Sequence, residues 1–339
     1  MRRRVLATTA LVALVVTTLS ACGDDDAGES ERFITVYNAQ HEELLDELAP
    51  KFTEKTGIDV KLRNGKDFEL GNQLVQEGDR TPADVFLTEN SPAMSLVESK
   101  GLFAPLNQTT LDRIPEQYRA ASGDWTGFVA RSTVLVYDKD AVDEADLPDS
   151  ILDLAKPEWK ERTSFSPSGA DFQAIVSAVL QLKGEKATEQ WLQGIADNGT
   201  VYQGNNVVMN SVNDSQVDTG IIYHYYWFRD QKEAGENSND SSLHFFGTED
   251  PGAFVSVSGA GVLKASKKQK DAQRFVDYLT DVDGQQALAD SYALEYPLNP
   301  EVELEPPVKP LSELEPPRVD VSDLNGPKVI AMMQKAGLL

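Results

Sequence analysis

The 339-residue chain has one cysteine, three histidines and only 31 basic residues against 55 acidic ones. A single cysteine excludes an internal disulfide framework and any Cys-based zinc or iron–sulfur site, since those need ligands in pairs or fours. The shortage of basic charge, a formal −24, argues against nucleic acid, because each cation set against a phosphate would work inside a repulsive field. Anionic membrane surfaces are disfavoured for the same reason. Catalytic signatures are missing too: there is no G-x-S-x-G elbow and no H-E-x-x-H. Ser258–Gly261 (SGAG) lacks the third glycine and the following helix of a dinucleotide fingerprint. The chain is therefore expected not to be an enzyme. A spanning helix is also disfavoured, because the apolar run from Val5 to Leu19 falls short of the ~20 residues that one needs and has no stop-transfer flank.

What that run does have is Arg2, Arg3 and Arg4 before it and Ser20, Ala21 and Cys22 after it, the pattern of an export signal over residues 1–21. The string LSAC at Leu19–Cys22 resembles a bacterial lipobox, which implies that Cys22 becomes a lipidated N-terminus at the outer face of the cell membrane. Lipid is an economical use for a lone cysteine, whose free thiol outside the cell would invite oxidation. Residues 22–31 continue as an acidic, aperiodic tether (GDDDAGESE after Cys22).

From Phe33 onward short apolar runs alternate with helical patterns, which predicts an α/β fold with largely parallel sheets. FITVY at Phe33–Tyr37 reads as a strand, followed by a helix carrying Leu44, Leu45, Leu48 and Phe52, stopped at Gly57 and kinked or split at Pro50. Ile58, Val60 and Leu62 alternate as a strand, and ADVFL at Ala83–Leu87 forms another. A second unit begins with a strand at Thr163–Ser166, then a helix with Phe172, Ile175, Val176, Val179 and Leu182, then a strand at Val217–Tyr223. Helices are expected at Gln269–Thr280, Asp283–Asp290 and Pro327–Ala336, whereas the five prolines within Glu301–Arg318 dictate a wrapping loop. Length suggests two domains. The strand-forming passages near Gly127–Tyr137 and Ala253–Leu263 are candidate crossings between them, making a hinge and a cleft.

His41 (YNAQHEE) falls after the first strand, at the edge where open α/β sheets place ligands, although an exposed helix-start histidine would look the same. Glu89 ends ADVFLTEN at an equivalent edge, and alone reads as a loop carboxylate. Ser168, Gly169 and Ala170 stand where a strand enters a helix, either an anion site or an ordinary N-cap. His224 lies inside a strand-to-helix run and His244 in a polar loop, neither with a partner by spacing. The densest aromatic feature is IIYHYYWF at Ile221–Phe228. Adjacent tyrosines such as Tyr225 and Tyr226 usually pack, yet two phenol oxygens turned into one cleft would suit a hard trivalent cation. Phenolates form only when the metal displaces their protons, so such binding would weaken in acid.

Together these strings, with RTPADVFLTEN from Arg80, PSGADFQ from Pro167, YYWF from Tyr225, DPGAFVSVSGAGVLK from Asp250 and ALEYPLNP from Ala293, resemble the bacterial ferric-ion-binding proteins. Those are the iron-specific branch of the periplasmic solute-binding proteins that serve ABC importers. The resemblance implies a two-domain α/β fold of the periplasmic-binding-protein type II class, with a hinged cleft. It assigns 32–130 with 255–300 to one domain and 131–254 with 301–339 to the other. Its metal ligands would be His41, Glu89, Tyr225 and Tyr226. A synergistic phosphate or carbonate would be held by Ser168, Gly169, Ala170, Asn205 and Asn90, with Arg131 as a candidate charge partner. Two positions depart from the family pattern: Asn90 replaces a Gln after the cleft Glu, and Tyr223 replaces an Asn upstream of the tyrosine pair. The expected function is capture of ferric iron by a monomeric, lipid-anchored carrier that delivers it to an ABC permease. The alternative keeps the fold and places a small organic solute, a polyamine or thiamine, in an aromatic cage at Tyr225–Trp227.

Overall fold

The computed structural model describes residues 32–247 and 249–339, so the export signal, Cys22 and the tether lie outside the described residues. Among the described residues ten strands form one mixed sheet. In chain order they are β1 (Phe33–Asn38), β2 (Asp59–Asn64), β3 (Val85–Leu87), β4 (Trp125–Asp138), β5 (Thr163–Phe165), β6 (Thr200–Val201), β7 (Thr219–Tyr223), β8 (Ser241–His244), β9 (Val255–Val262) and β10 (Tyr296–Pro297).

The sheet is less parallel than the alternation of elements predicts. β1 pairs in parallel with β2 and β3, and β5 with β6 and β7, but β4 is antiparallel to every neighbour it has: β7, β8, β9 and β10. The reason is the long return passage β4, whose 14 residues are all buried. Alternate side chains enter different cores: Val134 and Val136 pack with Val208 and Met209, while Leu135 joins Ile175 and Val179. Such two-sided burial explains its near-continuous apolar run. Of the two expected crossings only β4 pairs into both strand groups, because β9 starts at Val255 opposite Ser132 and runs back along the first half of β4.

Strand direction decides where ligands can sit. β3 ends at Leu87 opposite Ala260, and β9 leads from there to Val255 beside Ser132; β7 approaches from the other side and ends at Tyr223 opposite Thr133. The two parallel groups therefore point their C-terminal ends at each other, meeting near Arg131–Thr133. Ligand crevices of open α/β sheets lie outside the C-terminal strand ends.

The helices follow the apolar spacing closely. Gln269–Thr280 is found as expected; the next two run Val282–Ala289 and Gly326–Lys335. The first helix, Glu42–Thr56, buries Leu44, Leu45, Leu48 and Phe52 and stops where Gly57 adopts φ 69°. It is not split at Pro50. That residue lies on the exposed face, so the carbonyl of exposed Asp46 that loses its amide donor faces water. His244 closes strand β8 rather than lying in a loop. Between 301 and 318 the chain forms no helix or strand beyond a single 3-10 turn at Leu311–Glu313.

Candidate metal centre

His41 is delivered to the crevice by a tight turn after β1. Asn38 Nδ2 donates to the Gln40 carbonyl (2.9 Å), Gln40 N donates to Asn38 Oδ1 (3.1 Å), and His41 N donates to Gln40 Oε1 (2.7 Å). Glu89 follows β3 and has its backbone clamped on both sides. Its N–H and that of Asn90 donate to the Asp67 carboxylate (2.8 and 3.0 Å), while its carbonyl accepts from Ser258 Oγ (2.9 Å) and from Arg131 Nη1. Tyr225 and Tyr226 occupy the first turn of helix His224–Glu233, directly after β7. Their rings stack with centroids 4.3 Å apart.

These four side chains converge. His41 Nε2 lies 3.2 Å from Tyr225 Oη and 3.7 Å from Glu89 Oε1. His41 and Glu89 keep 24% and 21% of their side-chain exposure, so the crevice opens to solvent on their side, while Tyr225 is fully buried. Burial pushes both phenols well above the ordinary tyrosine range, with the neighbouring ring adding to the effect at Tyr225 and Asp171 at Tyr226. Burial, then Asp171, likewise raises Glu89, and burial lowers His41. Without a cation the site is thus held toward its neutral forms. A cation of high charge would reverse that preference.

The expected anion residues also gather here, around a carboxylate of the chain itself. Asn90 Nδ2 donates to Asp171 Oδ1 (3.1 Å), Asn205 Nδ2 donates to Asp171 Oδ2 (2.6 Å), and Tyr226 Oη donates to the same Oδ2 (3.2 Å). Asp171 is buried in the first turn of helix Ala170–Lys183, for which Gly169 is the cap. Ser168 Oγ points elsewhere, donating to Gln203 Oε1 at the exposed surface (3.1 Å). Tyr223, the departure from the family pattern, has its hydroxyl 3.3 Å from the Asp171 carbonyl and 3.5 Å from Asn90 Oδ1.

Arg131 is fully buried and paired. Its Nε and Nη2 donate to Glu295 Oε2 (2.9 and 2.6 Å), and Nη2 also reaches Ser258 Oγ. Burial alone would lower the guanidinium pKa; Glu295 and Glu89 outweigh it and raise it. Glu295 Oε1 has no hydrogen-bond partner among the described residues and sits 3.9 Å from His41 Nε2. The glycines of SGAG serve packing: a Cβ at Gly259 would lie 2.3 Å from Met94 Cγ, and one at Gly261 2.6 Å from Phe103 Cε1.

Other candidates fall outside the cluster. His224 accepts from Ser132 N at Nδ1, faces the Leu294 carbonyl at Nε2, and stacks on Tyr296. Burial drops its pKa to about 3, keeping it neutral. His244 packs edge-on against Phe246. Trp227 donates Nε1 to Ser241 Oγ (3.2 Å) and meets Phe228 edge-to-face, so it does not form a cage with Tyr225 and Tyr226. Among the described residues no group of three or more His, Cys, Asp or Glu is arranged to hold a metal. No helix among them is long and apolar enough to cross a membrane.

Asp171 and Glu295 were not expected from the sequence: they lie within PSGADFQ and ALEYPLNP, where a carboxylate beside a helix cap or in an irregular segment carries no spacing signal of its own.

Known proteins match most of this chain. Residues 80–320 match the family described as bacterial extracellular solute-binding protein. The Fe(3+)-binding periplasmic protein of Serratia marcescens is 53% identical, with 97% of each chain covered. The major ferric iron-binding protein of Neisseria meningitidis is 40% identical over 79% of this chain and 82% of its own. Iron-bound HitA from Pseudomonas aeruginosa superposes with a TM-score of 0.85 at 40% identity, covering 91% of this chain and 100% of that one. Trichodesmium IdiA (FutA), in complex with iron and citrate, gives 0.80 at 25% identity, covering 91% and 100%. The fold is thus that of a type II periplasmic binding protein, and the chain belongs to the ferric-ion-binding branch of the bacterial extracellular solute-binding proteins.

Proposed function

We propose that this protein captures ferric iron outside the cytoplasm and hands it to the permease of an ABC importer. The observation that carries the proposal is the convergence of His41, Glu89, Tyr225 and the stacked Tyr226 at the meeting point of two sets of strand ends. One carboxylate and two phenolates offset the charge of a 3+ ion, and hard oxygen donors suit it. Neutral His41 adds a nitrogen. The two lobes, 32–130 with 255–300 and 131–254 with 301–339, would close over the ion by bending about β4, with tighter binding in the closed form driving the shift. Lipidation at Cys22 would keep a monomeric carrier beside its permease.

Asp171 revises the expected role of the anion. The Asn90 and Asn205 amides that a phosphate or carbonate would use are both engaged by its carboxylate. Asp171 therefore supplies the anionic oxygen itself, and a further multivalent anion would be repelled by it. Wild-type iron retention should be insensitive to added phosphate or carbonate, whereas Asp171→Ala, which opens the space, should bind well only when one is added. Titrations with and without each anion check this; strong anion dependence in the wild type would restore the exogenous anion.

Two lesser effects follow from the donor set. His41→Ala removes a neutral donor and is expected to weaken iron binding by roughly tenfold, about 1.4 kcal/mol, less than loss of either tyrosine. Iron uptake must expel the phenol protons, so each proton released costs about tenfold in affinity per pH unit of acidification. Retention against a fixed competing chelator should fall steeply from pH 7 to about 5, and a flat profile would mean that no phenol is deprotonated.

A further inference from the structure

Between helices Asn205–Asn213 and His224–Glu233 lies a polar cavity of about 310 Å³, lined by Asn206, Asn210, Tyr226, Arg229, Asp230 and Glu233 among others. That volume is at the lower edge of the roughly 300–1,000 Å³ typical of small-ligand pockets. Tyr226 belongs both to this cavity and to the metal centre, where its hydroxyl meets Asp171. The cavity holds two polar groups that the fold leaves unused. Arg229 is half-buried and lies over the rings of Tyr292 (4.4 Å) and Tyr225 (5.6 Å), and it has no hydrogen bond or carboxylate partner among the described residues. Asn210 Oδ1 is buried without a hydrogen-bond partner among them. The two carboxylates of the lining are differently placed. Asp230 accepts from Asn237 and Ser238, and Glu233 is exposed.

Resting on the ferric reading above, we propose that this cavity is the docking subsite for the chelator on which ferric iron arrives, a small hydroxycarboxylate. Ferric ion hydrolyses in neutral water and travels as a complex, commonly an anionic one with oxygen donors. A chain of formal charge −24 repels such a complex. At the centre itself Arg131 is neutralised by Glu295, which leaves Arg229 as the cation that can meet a chelator carboxylate. The guanidinium is suited to bidentate carboxylate contact, and its stacking on two rings fixes the fork in place. Asn210 Oδ1 lies buried without a donor, and a small rotation of its amide to the cavity surface would let the hydroxyl of a hydroxycarboxylate supply one. A chelator seated here leaves its iron beside Tyr226. The phenol oxygen then replaces a chelator oxygen on the metal, and the proton it gives up passes to the released carboxylate or to water.

The test compares two ferric probes offered to metal-free protein: anionic ferric citrate and neutral ferric tris(acetohydroxamate). Radioactive iron retained after rapid desalting is measured over time. In Arg229→Gln the ratio of citrate to hydroxamate loading rates is expected to fall about tenfold, the lower end of electrostatic steering effects, and Arg229→Lys should recover part of it. Asn210→Leu, which fills the cavity without changing charge, should lower the same ratio. Added salt should raise the citrate rate more in Arg229→Gln than in the wild type, because in the variant screening relieves only the repulsion of the acidic chain. An unchanged ratio in Arg229→Gln and Asn210→Leu, with iron still retained from both probes, would overturn the docking subsite and leave the iron centre standing. Wild-type protein that retains iron from neither probe would overturn the ferric reading, and the subsite with it.

Discussion

Tyr225→Phe and Tyr226→Phe are each expected to cost ferric binding at least about 100-fold, beyond the 10–100-fold typical of losing a residue that merely supports a ligand. Each substitution removes one oxygen and keeps the ring, so the stacking at 4.3 Å and the buried packing of Tyr225 survive. The affinity loss should come with loss or displacement of a visible charge-transfer band, while unfolding temperature of the metal-free protein changes little. Loss of the Tyr225 hydroxyl also frees His41 Nε2 from its 3.2 Å contact. If both variants kept wild-type affinity and colour, the phenols would be packing residues only.

The second large effect concerns stability. Arg131→Met strands Glu295 as a buried carboxylate with neither oxygen paired, and breaking such a pair costs about 3–5 kcal/mol. The damage should extend to the site, because Arg131 Nη1 also holds the carbonyl of Glu89 and Nη2 holds Ser258. Arg131→Met with Glu295→Met removes both charges together, and is expected to recover most of the lost stability. Chemical denaturation of the three proteins decides: a double variant no more stable than Arg131→Met would show that the pair is not the source of the loss.

The positions of the four proposed donors were legible, because each lies just past a strand whose composition marks it and open sheets collect ligands at those ends. Their reading as one ligand set was not, since each alone fits an ordinary loop, helix-start or packing residue; that set came from the resemblance to the ferric-ion-binding proteins. Asp171 and Glu295 were not legible for the complementary reason. Asp171 meets Asn90 across 81 residues, and Glu295 meets Arg131 across 164. Nothing local in PSGADFQ or ALEYPLNP says that a carboxylate there will be buried against a cation or an amide. The sheet's mixed character was hidden similarly: a 14-residue apolar run reads the same whether its neighbours are parallel or antiparallel, and only the register along β4 settles it. Pro50 misled in the other direction, since its effect depends on which helix face carries it, and that face proved to be exposed.

The most direct measurement is the visible spectrum of the purified protein as ferric citrate is added at neutral pH. A stoichiometric, coloured ferric–tyrosinate complex is expected, weakened in either Tyr→Phe variant and bleached by acid. A solution that stays colourless beyond the chelate's own absorbance, with no iron retained after desalting, would contradict it.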